Sequence, residues 1–262
     1  MLTIAAVGLT CKAFLRSGLC ALDLAGLHHL QAALDAQPRR PVVTSTSLLS
    51  NHISTLDDPL TWGVLPTSYY FNSRFMRWTL GASDIMFTNP VFSWFFRNGQ
   101  VFETFRGKGI YQPSVDAAIA KLNRGEWIHL FGEGKVNQPD TYAVLDDVAR
   151  LPRFRWGVGR ILQEVQAPPV IIPMWLTGFN HLMPEGRTFP YKYIPRVGQR
   201  LSVTFGAPLA GEKMDRIQGL RAANDDNRSE ITSILQDAVQ ELGYAVSGPS
   251  LGGAATWKQT LP

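Results

Sequence analysis

"VVTSTSLLSNHISTLDDPLTWG", Val42 to Gly63, joins two structural signals with a histidine between them. Val42 to Ser50 is apolar, β-branched and dotted with hydroxyls, and reads as a strand. Asp58-Pro59 reads as the opening of a short helix running to Leu65. Asp accepts from first-turn N–H groups, and the fixed φ of Pro suits the first helical position. His52 stands beside the strand end, and Asp57 follows it by five residues. One reading of this spacing is punctuation alone. The other is a base with its carboxylate: a neutral imidazole takes a proton from an alcohol when a carboxylate on its other nitrogen fixes the tautomer.

Outward from this unit, strand-like and helix-like segments alternate. "SDIMFT" (Ser83 to Thr88) reads as a strand and "NPVFSWFFRNG" (Asn89 to Gly99) as an aromatic helix stopped by Asn98-Gly99. "QVFETF" (Gln100 to Phe105) is a strand entering the glycine loop "RGKG". Pro113 to Asn123 is amphipathic, with Val115, Ile119 and Leu122 on one side. "EWIHLF" (Glu126 to Phe131) is a strand entering "GEGKVN". A helix over Arg155 to Gln166 precedes the strand "VIIPMW" (Val170 to Trp175), and "RLSVTFG" (Arg200 to Gly206) is the last strand. After Asp225, Ile231, Ile234, Leu235, Ala238, Val239 and Leu242 share one helical face. This alternation predicts an α/β fold with a mostly parallel central sheet flanked by helices. "QPDTYAVLDDVARLP" reads as a mobile surface insertion, and residues 247–262, rich in Gly, Ser, Pro and Thr, as a disordered tail. The expected organisation is an apolar helical segment over 1–40, one domain over 41–246, and that tail.

Composition narrows the class. At 262 residues and 45% hydrophobic content, the chain can build a full core. A net charge of +4 and a pI near 9.2 suit an anionic partner. There is no long basic run and no nucleic-acid motif, which favours lipid or phosphate over DNA or RNA. Cys11 and Cys20 form no C-x-x-C, so a reducing compartment or indifference to redox state is expected. Residues Val165 to Pro184 carry no Asp, Glu, Lys or Arg, but four prolines interrupt them, and "PPVIIPMW" within them reads as a buried strand. From Met1 to Leu22 the only charges are Lys12 and Arg16, and Leu15, Leu19, Leu22, Leu27, Leu30 and Leu34 recur at helical spacing. That segment reads as a targeting sequence, a signal peptide, an in-plane membrane helix or a first core helix.

Taken singly, the chemical motifs are weak. Of five histidines only His52 has an Asp five residues on, and a chance hit somewhere is expected roughly one time in four. "FGEGKVN" (Phe131 to Asn137) follows a strand, and its glycines and Lys135 suit a phosphate or a developing oxyanion; it also reads as an ordinary turn. "FRGKG" offers Arg106 and Lys108 to a phosphate, or is a solvated basic loop. G-x-S-x-G, G-x-x-x-x-G-K-[ST], H-E-x-x-H and a helix-opening G-x-G-x-x-G are absent, so no serine-hydrolase elbow, nucleotide site or metal site is indicated.

Their order is the stronger signal. "NHISTLDDP", "FRGKGIYQ", "FGEGKVN" and "VIIPMW" succeed one another over roughly Pro41 to Pro208, which resembles the glycerolipid acyltransferase superfamily. The doubled aspartate, "MRWTLGASDIMFT", "KLNRGEWIHLF" and "RFRWGVGRIL" resemble its phospholipid–lysophospholipid transacylase branch, which remodels cardiolipin in mitochondria. Gly132 departs from the usual Pro before Glu-Gly and puts the loop's rigidity in question. The resemblance implies His52 as general base, Asp57 as its orienting carboxylate, and a headgroup site of Arg106, Glu133, Gly134 and Lys135. It implies phospholipid and lysophospholipid substrates (cardiolipin, phosphatidylcholine), no coenzyme A or other cofactor, and a monotopic position on a mitochondrial membrane facing the intermembrane space. An acyl-CoA-dependent lysophospholipid acyltransferase of the same superfamily is the alternative. Such substrates stay in a bilayer, and Ile85 to Phe96, with Phe92, Trp94 and Phe95, reads as an in-plane anchor or as a buried core hairpin.

Overall fold

A computed structural model describes residues 2–46, 54, 56–131, 139–184, 186–191, 194–223 and 225–252. In chain order the elements are α1 (Leu2–Arg16), β1 (Ala21–Ala25), α2 (Leu27–Asp35), β2 (Val42–Thr46), α3 (Asp57–Thr61), β3 (Trp78–Ala82), α4 (Ser83–Met86), α5 (Pro90–Asn98), β4 (Val101–Thr104) and α6 (Pro113–Leu122). There follow β5 (Trp127–Phe131), β6 (Ala143–Leu145), β7 (Val148–Arg150), α7 (Trp156–Glu164), β8 (Val170–Thr177), α8 (Phe179–Leu182), β9 (Arg200–Phe205), α9 (Glu212–Ala222) and α10 (Arg228–Ser247).

Seven strands form one sheet in the order β1-β9-β8-β2-β5-β3-β4. β2, β3, β4, β5 and β8 run parallel; β9 pairs antiparallel to β8, and β1 lies parallel to β9. The sheet is therefore mostly parallel, and two apolar layers cover it. On one face Leu30, Leu34, Trp62, Tyr70, Trp127, Met174 and Phe205 pack together. On the other Val115, Leu122, Ile128, Phe154, Ile161, Trp175, Ile231 and Leu235 do so. Central strands buried on both faces need unbroken apolar runs, which is why "WIHLF" and "VIIPMWLT" show no alternation.

Several expectations are corrected. The 1–40 segment is not one helical unit. β1 interrupts it and pairs with β9, Ala21 to Ala25 opposite Arg200 to Thr204. α1 docks by close backbone approach: a Cβ on Gly63 would lie 2.9 Å from the carbonyl carbon of Cys11. The strand expected at Ser83 to Thr88 lies upstream as β3, and Ser83–Met86 is helical. The expected mobile insertion holds a packed hairpin of β6 and β7, turning at Asp146 and Asp147, both at positive φ. Tyr142, Ala149 and Leu151 anchor it in the core. α9 was not anticipated. The expected tail begins in packed chain, since Ser247 Oγ accepts from Trp175 Nε1 at 2.8 Å and Leu251 is buried. Among the described residues, no helix is long and apolar enough to cross a membrane.

Candidate active site

In open parallel sheets, sites form beyond the carboxyl ends of the strands. β2 and β5 are neighbours, with Val42 opposite Trp127, Thr44 opposite His129 and Thr46 opposite Phe131. Their carboxyl ends are thus one strand spacing apart, roughly 5 Å. His52 follows Thr46 by six residues, and Glu133 follows Phe131 by two. His52, Gly132, Glu133, Gly134 and Lys135 lie outside the described residues. Arg106 follows β4, two strands beyond β5 at the same end of the sheet and roughly 10 Å from it.

Asp57 is fully buried at the start of α3. Its Oδ2 accepts from the Ser54 backbone N–H at 2.9 Å, while Ser54 Oγ accepts from Leu56 N–H at 3.2 Å. Both bonds brace the turn that leads into α3. The Ser54 N–H thus holds the Asp57 carboxylate.

Asp58 does not open the helix as expected. α3 begins one residue earlier, and Asp58 Oδ1 accepts from Trp62 Nε1 at 2.9 Å and from Arg77 Nε at 2.9 Å. Arg77 Nη2 closes the fork on Oδ2. The pair is nearly buried, at 10% exposure for Arg77 and 13% for Asp58. Burial alone would push the Asp58 carboxyl up; the Arg77 charge and hydrogen bond, with His129 and Trp62 adding to them, hold it below its ordinary 3.8. Arg77 Nη1 also donates to the Gly99 carbonyl at 3.0 Å, where α5 ends. One guanidinium thus ties the Asp57 turn, the base of β3 and the end of α5 together. Beneath it Trp62 sits edge-on to Trp127 and His129, with centroids 4.9 and 4.8 Å away. Thr44 Oγ1 joins this floor to β2, accepting from Trp127 Nε1 at 2.8 Å and bonding His129 Nδ1 at 2.9 Å.

Arg106 is exposed and pairs with exposed Asp84 at 3.3 Å, so its guanidinium is held only loosely. Its loop is fixed instead by Gln112, which sequence reasoning missed. Gln112 Oε1 accepts from Phe105 N–H at 2.8 Å, and Nε2 donates to the carbonyls of Phe105, at 3.0 Å, and Gly109. Gly107 and Gly109 take φ of 76° and 78°, which glycine alone adopts without strain.

α5 has no buried residue, so the buried-hairpin reading of this stretch does not hold. Phe92, Trp94 and Phe95 are 50%, 63% and 39% exposed. α1 touches α5 and exposes Leu2 and Leu9. Cys11 and Cys20 are both free and buried, and burial with the nearby Asp58 charge pushes the Cys11 thiol up to about 11, which makes it a poor nucleophile.

The acyltransferase family model matches residues 34–177, more than half of the chain, and the chain belongs to that family. It is 36% identical over 236 residues to the protein named Taffazin of Dictyostelium discoideum, covering 87% of this chain and 74% of that protein. It is 36% identical over 207 residues to Tafazzin of Drosophila melanogaster, covering 78% of this chain and 51% of that protein. It is also 34% identical over 184 residues to N-acylphosphatidylethanolamine synthase of Arabidopsis thaliana, covering 70% and 62%. The chain thus spans about half to three quarters of the length of these relatives. Within the acyltransferases, these relatives narrow its family to the tafazzins.

Proposed function

We propose that this acyltransferase moves a fatty acyl chain directly from a phospholipid to a lysophospholipid on a membrane surface, without coenzyme A. The observation that carries the reading is the buried Asp57, locked by Ser54 beyond the carboxyl end of β2, in a chain of the tafazzin family. His52 takes the proton of the lysolipid hydroxyl while that oxygen attacks the donor's ester carbonyl. Asp57 orients the imidazole and balances the imidazolium charge. Collapse of the tetrahedral species breaks the donor ester, and the departing lysolipid oxygen takes the proton back. One ester is lost and one gained, so transfer is nearly thermoneutral and reversible, and no acyl-enzyme is formed. Arg106, Gly134 and Lys135 hold the headgroup phosphate, while Glu133 orders the loop or the glycerol.

The proposed membrane seat is the joint face of α1 and α5. Leu2, Leu9, Val91, Phe92, Trp94 and Phe95 expose apolar surface on these touching helices. This supports a monotopic position. A mitochondrial membrane, on the face towards the intermembrane space, and cardiolipin with phosphatidylcholine as substrates are the setting the family resemblance supports.

The test supplies purified protein with vesicles of acyl-labelled phosphatidylcholine and monolysocardiolipin, free of coenzyme A. Label should pass to cardiolipin and, in the reverse experiment, back, with acyl-CoA a poor donor. A requirement for acyl-CoA would replace this reading with a CoA-dependent lysophospholipid acyltransferase. Label on the amine of phosphatidylethanolamine instead would give this chain the chemistry in the Arabidopsis relative's name.

A further inference from the structure

We propose that the amino-terminal end of the sheet carries a second anion site, in which Arg39, Arg74 and Arg124 take a phosphate group bearing two or more negative charges. The proposal is independent of the acyl-transfer reading, because none of its three arginines belongs to the acyl-transfer site.

Three turns converge at this end of the sheet. Arg39 lies on the approach to β2, Arg74 in the turn before β3, and Arg124 between α6 and β5. β2, β5 and β3 are successive strands, so the three turns are neighbours. They border an open cleft of about 320 Å³ lined by Arg39, Ser73, Arg74, Lys121, Arg124 and Glu126. The Gly125 turn, at φ 71°, lies against Arg39: a Cβ there would come within 3.2 Å of the Arg39 Cβ.

The charges in this cleft do not cancel. Glu126 is already engaged: its oxygens accept from Lys121 Nζ at 3.1 and 3.0 Å, and Oε2 accepts from Trp78 Nε1 at 2.8 Å. That carboxylate and that ammonium neutralise each other. Asp35, whose Oδ2 accepts from the Tyr69 hydroxyl at 3.0 Å, is near and offsets one of the three guanidinium charges in part, which leaves the cluster net positive. Among the described residues no carboxylate forms an ion pair with Arg39, Arg74 or Arg124. Arg74 Nε is enclosed without an acceptor, and its guanidinium is held over the Phe75 ring at 5.4 Å. Burial and the Arg39 charge both disfavour charged Arg74, with Asp35 opposing them in part.

Three guanidiniums sharing one pocket repel one another, and the repulsion is relieved by an anion that meets all three. A carboxylate brings one charge. A phosphate monoester or diphosphate brings two or more, with oxygens that match the planar N–H forks. The phosphate can belong to a soluble ester or to a lipid headgroup.

Two titrations separate these sources. Inorganic pyrophosphate is titrated calorimetrically into the full chain at low salt. Flotation with phosphatidic acid vesicles, whose headgroup is a phosphate monoester, against phosphatidylcholine vesicles is run in parallel. Arg39→Gln/Arg74→Gln should weaken whichever binding the pocket provides by tenfold or more, with a ligand-free melting temperature equal to or above wild type because repulsion is removed. Loss of pyrophosphate binding with vesicle binding retained assigns a soluble phosphate ester; loss of the anionic-vesicle preference assigns a lipid phosphate. Should the Arg74 variant not fold, Arg39→Gln/Arg124→Gln, both at exposed positions, carries the same test. Wild-type and variant proteins that match in both titrations would overturn the proposal.

Discussion

Replacing Arg77 by Met keeps most of the side chain's length and removes its charge and donors. The loss is large because two groups, a nearly buried carboxylate and a backbone carbonyl, depend on that guanidinium. Asp58 is left as a nearly buried carboxylate holding only the Trp62 N–H, and the Gly99 carbonyl loses its side-chain donor. Removing one partner of a buried pair costs about 3–5 kcal/mol, most of it the stranded charge. Against a total stability of about 5–15 kcal/mol, that is a substantial share. A domain of this size loses about 2–4 °C per kcal/mol, so the melting temperature at pH 7 should fall by roughly 6–20 °C. The sign of the pH dependence follows from the Asp58 carboxyl, whose folded value lies below its ordinary 3.8. A depressed carboxyl contributes stability above the ordinary value and loses it as pH falls through the folded value. In Arg77→Met burial is opposed only by Trp62 and His129, the carboxyl rises, and protonation relieves the stranded charge. The gap between variant and wild type should therefore narrow as pH drops towards 3.8 and below. Adding Asp58→Asn to Arg77→Met should recover stability at pH 7, since the double variant strands no charge. Circular-dichroism melts from pH 3.5 to 8 measure all of this. A pH 7 shift under about 2 °C, or a gap independent of pH, would refute the reasoning.

Other outcomes follow from the same structure. Phe92→Ser/Trp94→Ser/Phe95→Ser should weaken vesicle binding about a hundredfold, at about 1 kcal/mol for each half-exposed ring, with little change in melting temperature; unchanged flotation would exclude α5 as the seat. Gln112→Ala frees three backbone groups in the Arg106 loop, at about 1 kcal/mol each. It should raise KM for phospholipid several-fold more than it lowers kcat, and an unchanged KM would detach that loop from the headgroup. Asp57→Asn should stay folded yet lose roughly a hundredfold or more in turnover, read in the vesicle assay. Intact-mass spectra taken with labelled donor alone should show no acyl adduct on the protein, and a stoichiometric adduct would replace direct transfer with a covalent intermediate.

Much of the architecture was legible because the central strands are buried on both faces. Trp127–Phe131 and Val170–Thr177 cannot alternate, and both stand out as apolar runs between turn signals. β1 was missed for the converse reason. It is an exposed strand whose leucines fall at helical spacing, and its partner β9 lies far along the chain. Ser83–Met86 was misread because a short apolar run lacks the length to separate strand from helix. His52 and Asp57 are visible as a spacing, while the bond from the Ser54 N–H to the Asp57 carboxylate carries no motif that marks it. The roles of Asp58 and Gln112 had no local signal. Asp58 depends on Arg77, nineteen residues away, and Gln112 on the fold of its own glycine loop.

The central claim, general-base transfer by His52, is met most directly by the rate of acyl exchange in vesicles free of coenzyme A, wild type against His52→Ala, with circular dichroism and vesicle binding confirming that both proteins fold and dock alike. The account predicts a fall of roughly a hundredfold or more. Near-wild-type exchange by folded, membrane-bound His52→Ala would contradict it.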